Sequence, residues 1–267
     1  MSLMVLEGAT ALITGASSGI GEAFARALAQ RGAALILTAR STVKLEQLAD
    51  ELRERYQITV HVFPKDLSLA QAPLQLFEEI QANRLTVDIL INNAGFGRWT
   101  DFLGERIDGY EQMVALNINA LVRLTHLCLP AMLARGSGGV INVASTAAFQ
   151  PVSFMAIYAA SKSFVLNFTE ALAGEYRGKG IHILALCPGP TDTNFSSVAR
   201  ANTPDTHSAT AAEVAEAGLA AFVNGRSCLV HGRRNYLTSL LSRMLPRAMV
   251  IGIVVRMFRR KVKPCPA

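Results

Sequence analysis

Seven short apolar runs, each separated from the next by a longer amphipathic stretch, leave this chain few ways to fold. The runs are residues 10–14, 34–38, 59–63, 87–91, 139–143, 181–186 and 227–231. Most are hydrophobic without alternation, which suits strands buried on both faces. Between them, residues 20–31, 43–56, 69–82, 109–135, 156–177 and 211–224 carry apolar side chains at helical spacing. Strand and helix in alternation predict an α/β fold, a single doubly wound Rossmann-type domain with a seven-stranded parallel sheet flanked by helices. Gly32 follows the first helix, and Gly136-Ser137-Gly138-Gly139 ends the long fifth stretch. A loop over 188–210, rich in Thr, Ser, Asn and Asp, follows the sixth strand, at the carboxyl edge where such sheets bind ligands.

A chain of 267 residues, 51% hydrophobic and 17% charged, has ample material for one large core and is unlike a disordered chain. We divide it into residues 1–232, the sheet domain, and 233–267, a basic and apolar helical extension. Cys128, Cys187, Cys228 and Cys265 have neither the spacing of metal ligands nor that of a disulfide scaffold. They read as bland thiols in a reducing compartment, and no metal is expected. The N-terminal stretch lacks a basic region and a cleavage site and reads as the approach to a first strand, so a cytoplasmic location is expected.

The first strand runs into Thr14-Gly15-Ala16-Ser17-Ser18-Gly19-Ile20-Gly21 and then a helix. Glycines allow a tight turn and close approach of backbone to a diphosphate, which the helix N-terminus attracts with free N–H groups and its positive dipole end. Gly15, Ser17, Ser18, Gly19, Ile20 and Gly21 are therefore candidate nucleotide-binding residues. The second strand ends in Thr38-Ala39-Arg40-Ser41, with no carboxylate to take a ribose 2′-hydroxyl. Arg40 and Ser41 suit a 2′-phosphate instead, which points to NADP(H). Asp66, after the third strand, either accepts from an adenine amino group or caps the next helix; Ser68 is the better-placed cap, which favours the adenine role.

Of five tyrosines, only Tyr158 has a lysine four residues on, Lys162, which a helix places on the same face. An ammonium ~4 Å from the phenol would lower its pKa by about three units at an effective dielectric of 20, near where acid–base catalysis works best. Ser145, at the end of the fifth strand, could hydrogen-bond a substrate oxygen. Asn92-Asn93-Ala94-Gly95 forms a small polar turn that lets a cofactor lie close, and Asn92 joins the cofactor set. Asn117 interrupts the apolar stripe of a helix, where a polar group needs a reason. Pro188 and Thr191, after the sixth strand, can wall one side of a nicotinamide.

Together the motifs TGASSGIG at 14–21, NNAG at 92–95, Asn117, Ser145, YAASK at 158–162 and PGPTDT at 188–193 resemble the short-chain dehydrogenase/reductase family, over residues 7 to 225. The resemblance implies that Tyr158 exchanges the substrate proton and Ser145 polarises the oxygen. It implies that Lys162 lowers the tyrosine pKa and binds the nicotinamide ribose, that Asn117 holds a water in the proton relay, and that Thr191 contacts the carboxamide. It also implies homo-oligomers, dimers or tetramers, through the helices 109–135 and 156–177. A non-catalytic NADP-binding sensor or scaffold is the alternative, though a scaffold has no need of Tyr158, Lys162, Ser145 and Asn117 together.

Phe96, Trp99, Phe149, Val152, Phe154, Met155 and Phe195 are expected around the substrate, with Arg98 the one cation among them. Such a wall predicts a lipophilic ketone, aldehyde or acyl-type substrate. The net charge of +6 is lopsided: ten Lys and Arg and no acid follow Glu216, while the remaining sixteen cations sit against twenty acids. In the extension, Pro246 opens a helix whose apolar run 248–255 spans ~12 Å against ~30 Å of hydrocarbon, so it does not cross a membrane. Two readings stay open. The tail packs across the substrate mouth or a partner subunit, or it lies peripherally on an anionic membrane surface. Nucleic acid is not expected, because the charges lack aromatic interleaving or a known module.

Overall fold

The computed structural model describes residues 5–199 and 208–259. Its first half alternates β1 (Thr10–Thr14), α1 (Gly19–Ala29), β2 (Ala34–Thr38), α2 (Thr42–Tyr56), β3 (Val60–Val62), α3 (Ala72–Ala82) and β4 (Ile89–Asn92). There follow α4 (Ile107–Val114), a π-helical turn (Ala115–Ala120), α5 (Leu121–Arg135), β5 (Gly138–Val143), α6 (Ala156–Glu175) and β6 (Ile181–Cys187). The loop after β6 holds β7 (Thr191–Asp192), α7 (Phe195–Val198) and β8 (Ala209–Thr210), which opens α8 (Ala211–Val223). β9 (Cys228–Val230), α9 (Arg233–Met244) and α10 (Arg247–Phe258) complete the described chain.

All seven expected strands form one parallel sheet in the order β3-β2-β1-β4-β5-β6-β9. The order reverses between β1 and β4, and at such a switch point the loops diverge and open a crevice at the carboxyl edge. Successive strand residues serve opposite layers. Ala11, Ile13, Leu35, Leu37, Ile89 and Ile91 pack with Phe24, Leu28 and Phe222 of α1 and α8. Leu12, Ile36 and Leu90 pack on the other side with Leu76, Leu124 and Met132 of α3 and α5. Each such large side chain contributes about 1.5–3 kcal/mol, so both faces of the sheet anchor the loops above it.

Three boundaries differ from expectation for local reasons, while α9 starts where the extension was placed, at Arg233. α3 starts at Ala72, not near Leu69, because the Asp66 carboxylate accepts from the backbone N–H and hydroxyl of Ser68 and folds the chain into a turn. Ser68 thus caps no helix. The single helix expected over 109–135 begins at Ile107 and is interrupted by the π turn at Asn117. α9 begins directly after Gly232, whose φ of +89° turns the chain out of β9. Pro246 precedes α10 as its cap residue rather than standing in its first turn.

Candidate active site

The crevice is built around Thr14, at the end of β1. Its hydroxyl accepts from the backbone N–H groups of Asn93 and Ala94, at 2.9 and 3.0 Å, and donates to the Ile91 carbonyl. Asn93 reciprocates: Nδ2 donates to the carbonyls of Thr14 and Gly15 at 2.9 and 3.3 Å. These bonds tie the glycine turn to the end of β4. Gly15 has φ of +67°, and a Cβ on Gly21 would lie 2.3 Å from the Gly15 oxygen and 2.5 Å from Asn93 Nδ2. Glycine is required at both positions by backbone conformation and by space. Thr14 and Asn93 were not singled out in the sequence. Their signal was the polar pair at the ends of two strands, whose adjacency only the sheet order reveals.

Ser18 stands at the N-cap of α1 but makes no side-chain cap bond. The N–H groups of the first turn, from Gly19, Ile20 and Gly21, are therefore left for an anion. Ser17 lies beside them in the turn, and Thr193 packs 3.0 Å from where a Gly19 Cβ would stand. Arg40 is exposed and makes no ion pair among the described residues. Ser41 caps α2, accepting from Lys44 N–H at 3.5 Å, and that first turn holds no acid. One uncapped helix end and one cationic, acid-free helix end fit the diphosphate and 2′-phosphate of NADP(H). The Asp66 Oδ1 is already committed to Ser68, which leaves Oδ2 for an adenine amino group.

Asn92 does not face this crevice. Its Nδ2 donates to Thr125 Oγ1 and Asn142 Oδ1 at 3.0 and 2.9 Å, and Asn142 passes the chain on to Thr169. All four are buried, and each buried polar group has its partner. The Asn92 side chain is committed to this cross-link of β4 and β5 to α5 and α6, so a cofactor contact from Asn92 would come from its backbone.

The reacting groups meet at the ends of β5 and α6. Tyr158, Ser145, Lys162 and Asn117 are all at least nine-tenths buried. Burial pushes the Tyr158 phenol up to about 12, and a hydrogen bond from Ser145 pulls against it. Ser145 Oγ also accepts from Ala147 N–H at 3.1 Å, which sets its rotamer. Burial pushes the Lys162 ammonium down to about 8. It donates to the Val143 carbonyl at 2.6 Å and lies 5.9 Å from the Tyr158 ring centre. The expectation that Lys162 lowers the tyrosine pKa is thus not met by this arrangement. The ammonium is turned to the strand, and desolvation drives both groups towards their neutral forms.

Asn117 also departs from expectation. Its Oδ1 accepts from Phe96 N–H, and its Nδ2 donates to the Phe96 carbonyl and to Ser161 Oγ. Ser161 in turn donates to the Tyr158 carbonyl. Both amide hydrogens are spent, so the side chain holds the loop after β4 against α6, and a relay water would meet Asn117 through an acceptor oxygen. The π turn aims it there, and such turns recur at functional sites. Thr191 Oγ1 donates to the Gly189 carbonyl, and the Pro188 carbonyl accepts from Thr146 N–H, so both shape the rim above Ser145.

Beside Tyr158 stand Val152, Met155, Phe96, Trp99 and Phe195, with the Phe195 ring 5.3 Å from the tyrosine ring. Phe149 does not join them, since it packs with Ala148 and Val165 and carries the Arg243 guanidinium on its ring. Arg98 is neutralised by Glu105 at 2.8 Å and stacks on Phe96. Unforeseen in detail, Val250 and Val254 of α10 close the same cluster, and Phe258 meets Trp99 edge-on at 4.9 Å. α10 thus packs on its own chain, over the cluster that holds Tyr158. Cys187 and Cys228, scattered in sequence, are neighbours across β6 and β9, close enough for a thiol hydrogen bond. Cys265 and the basic residues beyond Arg259 lie outside the described residues.

A glycine-turn crevice at the switch point, beside a buried Ser-Tyr-Lys cluster, defines a nucleotide-dependent oxidoreductase. Residues 9–204 match the family described as short chain dehydrogenase, and the chain belongs to that family. It is 31% identical over 259 residues to the very-long-chain 3-oxoacyl-CoA reductase of Anas platyrhynchos, covering 93% of this chain and 80% of that protein. Among solved structures, it resembles a short-chain dehydrogenase from Sphingobium yanoikuyae in complex with NADPH (TM-score 0.80, 31% identity, 88% of this chain and 94% of that one). It is also similar to the bulky-bulky ketone specific alcohol dehydrogenase from Comamonas testosteroni (TM-score 0.76, 30% identity, 88% and 92%).

Proposed function

We propose that this oxidoreductase reduces a lipophilic ketone, aldehyde or acyl-type carbonyl, with NADPH as the cofactor. The observation that carries the substrate class is the wall around Tyr158: Phe96, Trp99, Val152, Met155, Phe195, Val250 and Val254, with the nearby Arg98 cancelled by Glu105. A charged substrate would be desolvated there without a partner, at a cost of several kcal/mol. A reductase of 3-oxoacyl chains and a dehydrogenase of bulky ketones among the relatives agree with that wall. The cofactor is NADP(H): Arg40, Ser41 and the first turn of α2 would hold the 2′-phosphate, and the first turn of α1, with Gly15, Ser17 and Ser18, would hold the diphosphate. Tyr158 and Lys162 would hold the nicotinamide ribose, and Pro188 and Thr191 would wall its ring.

When bound, NADPH supplies the hydride that adds to the carbonyl carbon. Ser145 Oγ donates a hydrogen bond to the carbonyl oxygen and polarises it. Tyr158 gives its phenolic proton to the oxygen as negative charge gathers there. Burial keeps the phenol protonated at neutral pH, so the proton is present to be given. Lys162 offsets the phenolate that remains, and Asn117 positions Tyr158 through Ser161.

Oxidation of NADPH and NADH against aliphatic, aromatic, steroid and acyl carbonyls tests the reading. Turnover is expected with NADPH and apolar carbonyls, and Tyr158→Phe should lower kcat by about 10²–10⁴-fold with nucleotide affinity retained. Preference for NADH would refute the role of Arg40. Tight NADPH binding without turnover on any carbonyl would favour the non-catalytic sensor.

A further inference from the structure

The amphipathicity of α9 is inverted. Its inward residues are polar: Asn235 Nδ2 donates to the His231 carbonyl at 2.8 Å, Ser239 Oγ to the Tyr236 carbonyl at 2.7 Å, and Ser242 Oγ to the Phe149 carbonyl at 3.4 Å. Its outward residues are apolar: Tyr236, Leu237, Leu240, Leu241 and Met244 are between 44% and 75% exposed. At about 100° per residue these five fall within one arc, with Arg234 at one border and Arg243 at the other. A surface helix ordinarily turns its apolar stripe to the core. α10 extends the same surface, because Val250 and Val254 are buried in the cluster that holds Tyr158 while Met249, Ile253 and Met257 are exposed. Phe102 is exposed as well and stacks on Tyr110 of the same cluster. An apolar surface of this extent marks an interaction site.

The charges say what kind. Arg233 and Arg234 occupy the first turn of α9 and Arg247 that of α10, with no acid in either. Helix dipoles favour the opposite arrangement, so these cations cost folding stability and suit an anionic partner. No Asp or Glu occurs after Glu216. A second copy docking through this face would set arginines against arginines with no acid on either helix to pair them. Twelve residues, ~18 Å of helix, cannot cross ~30 Å of hydrocarbon. We propose that the outward face of α9 and α10 docks the protein on an anionic lipid bilayer, with leucines and methionines among the acyl chains and arginines on the headgroups. Docking sets the mouth over Tyr158 against the lipid, so that a lipophilic carbonyl reaches it from the membrane. That last step rests on the proposed function, whereas the docking does not.

Sedimentation of the full chain with vesicles tests this. We expect it to pellet with equimolar phosphatidylcholine and phosphatidylglycerol, and far less with phosphatidylcholine alone or at high salt. Leu240→Glu with Leu241→Glu should abolish pelleting, and Arg233→Gln with Arg234→Gln should weaken it about five-fold per arginine. Far-UV circular dichroism and NADPH-dependent turnover of a water-soluble carbonyl should be unchanged in both variants. A chain that stays in the supernatant, or variants that pellet like the parent, would overturn the proposal. So would a dimer in lipid-free solution that the glutamates dissociate, which would assign the face to a second copy. Failed pelleting with turnover intact sinks only the docking, and pelleting without turnover sinks only the reductase reading.

Discussion

At Lys162, folding and chemistry pull in opposite directions. The ammonium donates to the Val143 carbonyl inside the sheet, and burial lowers its pKa from 10.5 to about 8. Below about pH 8 the folded protein must hold a buried charge, a penalty of order 3 kcal/mol. Between about pH 8 and 10.5 the folded state releases the proton before the unfolded chain does, so this penalty fades as pH rises. Lys162→Met removes it but also forfeits one hydrogen bond of about 1 kcal/mol. The variant should therefore be about 2 kcal/mol more stable than the parent in urea at pH 7, and lose that advantage by pH 10. Equal stability at pH 7 would mean that the ammonium is better solvated than its burial implies. The Tyr158-Lys162 spacing was legible in sequence, but the direction in which each pKa moves was not. Proximity along a helix does not say what else surrounds a side chain, and here the surroundings are strand backbone and apolar rings.

Among the elements, α10 decides how the mouth is closed. Phe258 meets the ring of Trp99, the single tryptophan of the chain, so one fluorophore reports on that closure. Phe258→Ala should cost about 1 kcal/mol of aromatic contact and shift the emission of Trp99 to the red as water reaches the ring. Addition of a tight-binding apolar carbonyl should then shift it back towards the blue, and an unchanged spectrum in the variant would show that α10 does not seal the site. The helix itself was legible from its apolar run, and so was its failure to span a bilayer. Its inner face was not, because Val250, Ile251, Ile253, Val254 and Val255 look alike in sequence and only docking separates the two that are buried. The π turn at Asn117 was likewise visible only as a polar residue out of place.

At the scale of the whole molecule, the sheet leaves the outer side of α6 carrying a stacked Phe164 and Phe168, with Phe164 41% exposed. We propose a homodimer through this side and α5, separate from the arginine-flanked face of α9. Light scattering without lipid should give at least twice the 28.7 kDa of one chain, and Phe164→Glu should reduce it to the monomer; a parent that is monomeric at micromolar concentration would refute this. The strands, their parallel arrangement and the glycine turn after the first strand all followed from the sequence by itself. Hydrophobic period and local turn chemistry act between near neighbours, and the sequence holds that information directly. What the tertiary structure alone decided is which distant groups meet: Thr14 with Asn93, Asn92 with Asn142, Trp99 with Phe258. A buried polar group must find a partner, but which one it finds depends on which strand lies beside its own. That was settled by the order of the sheet, where β1 lies against β4.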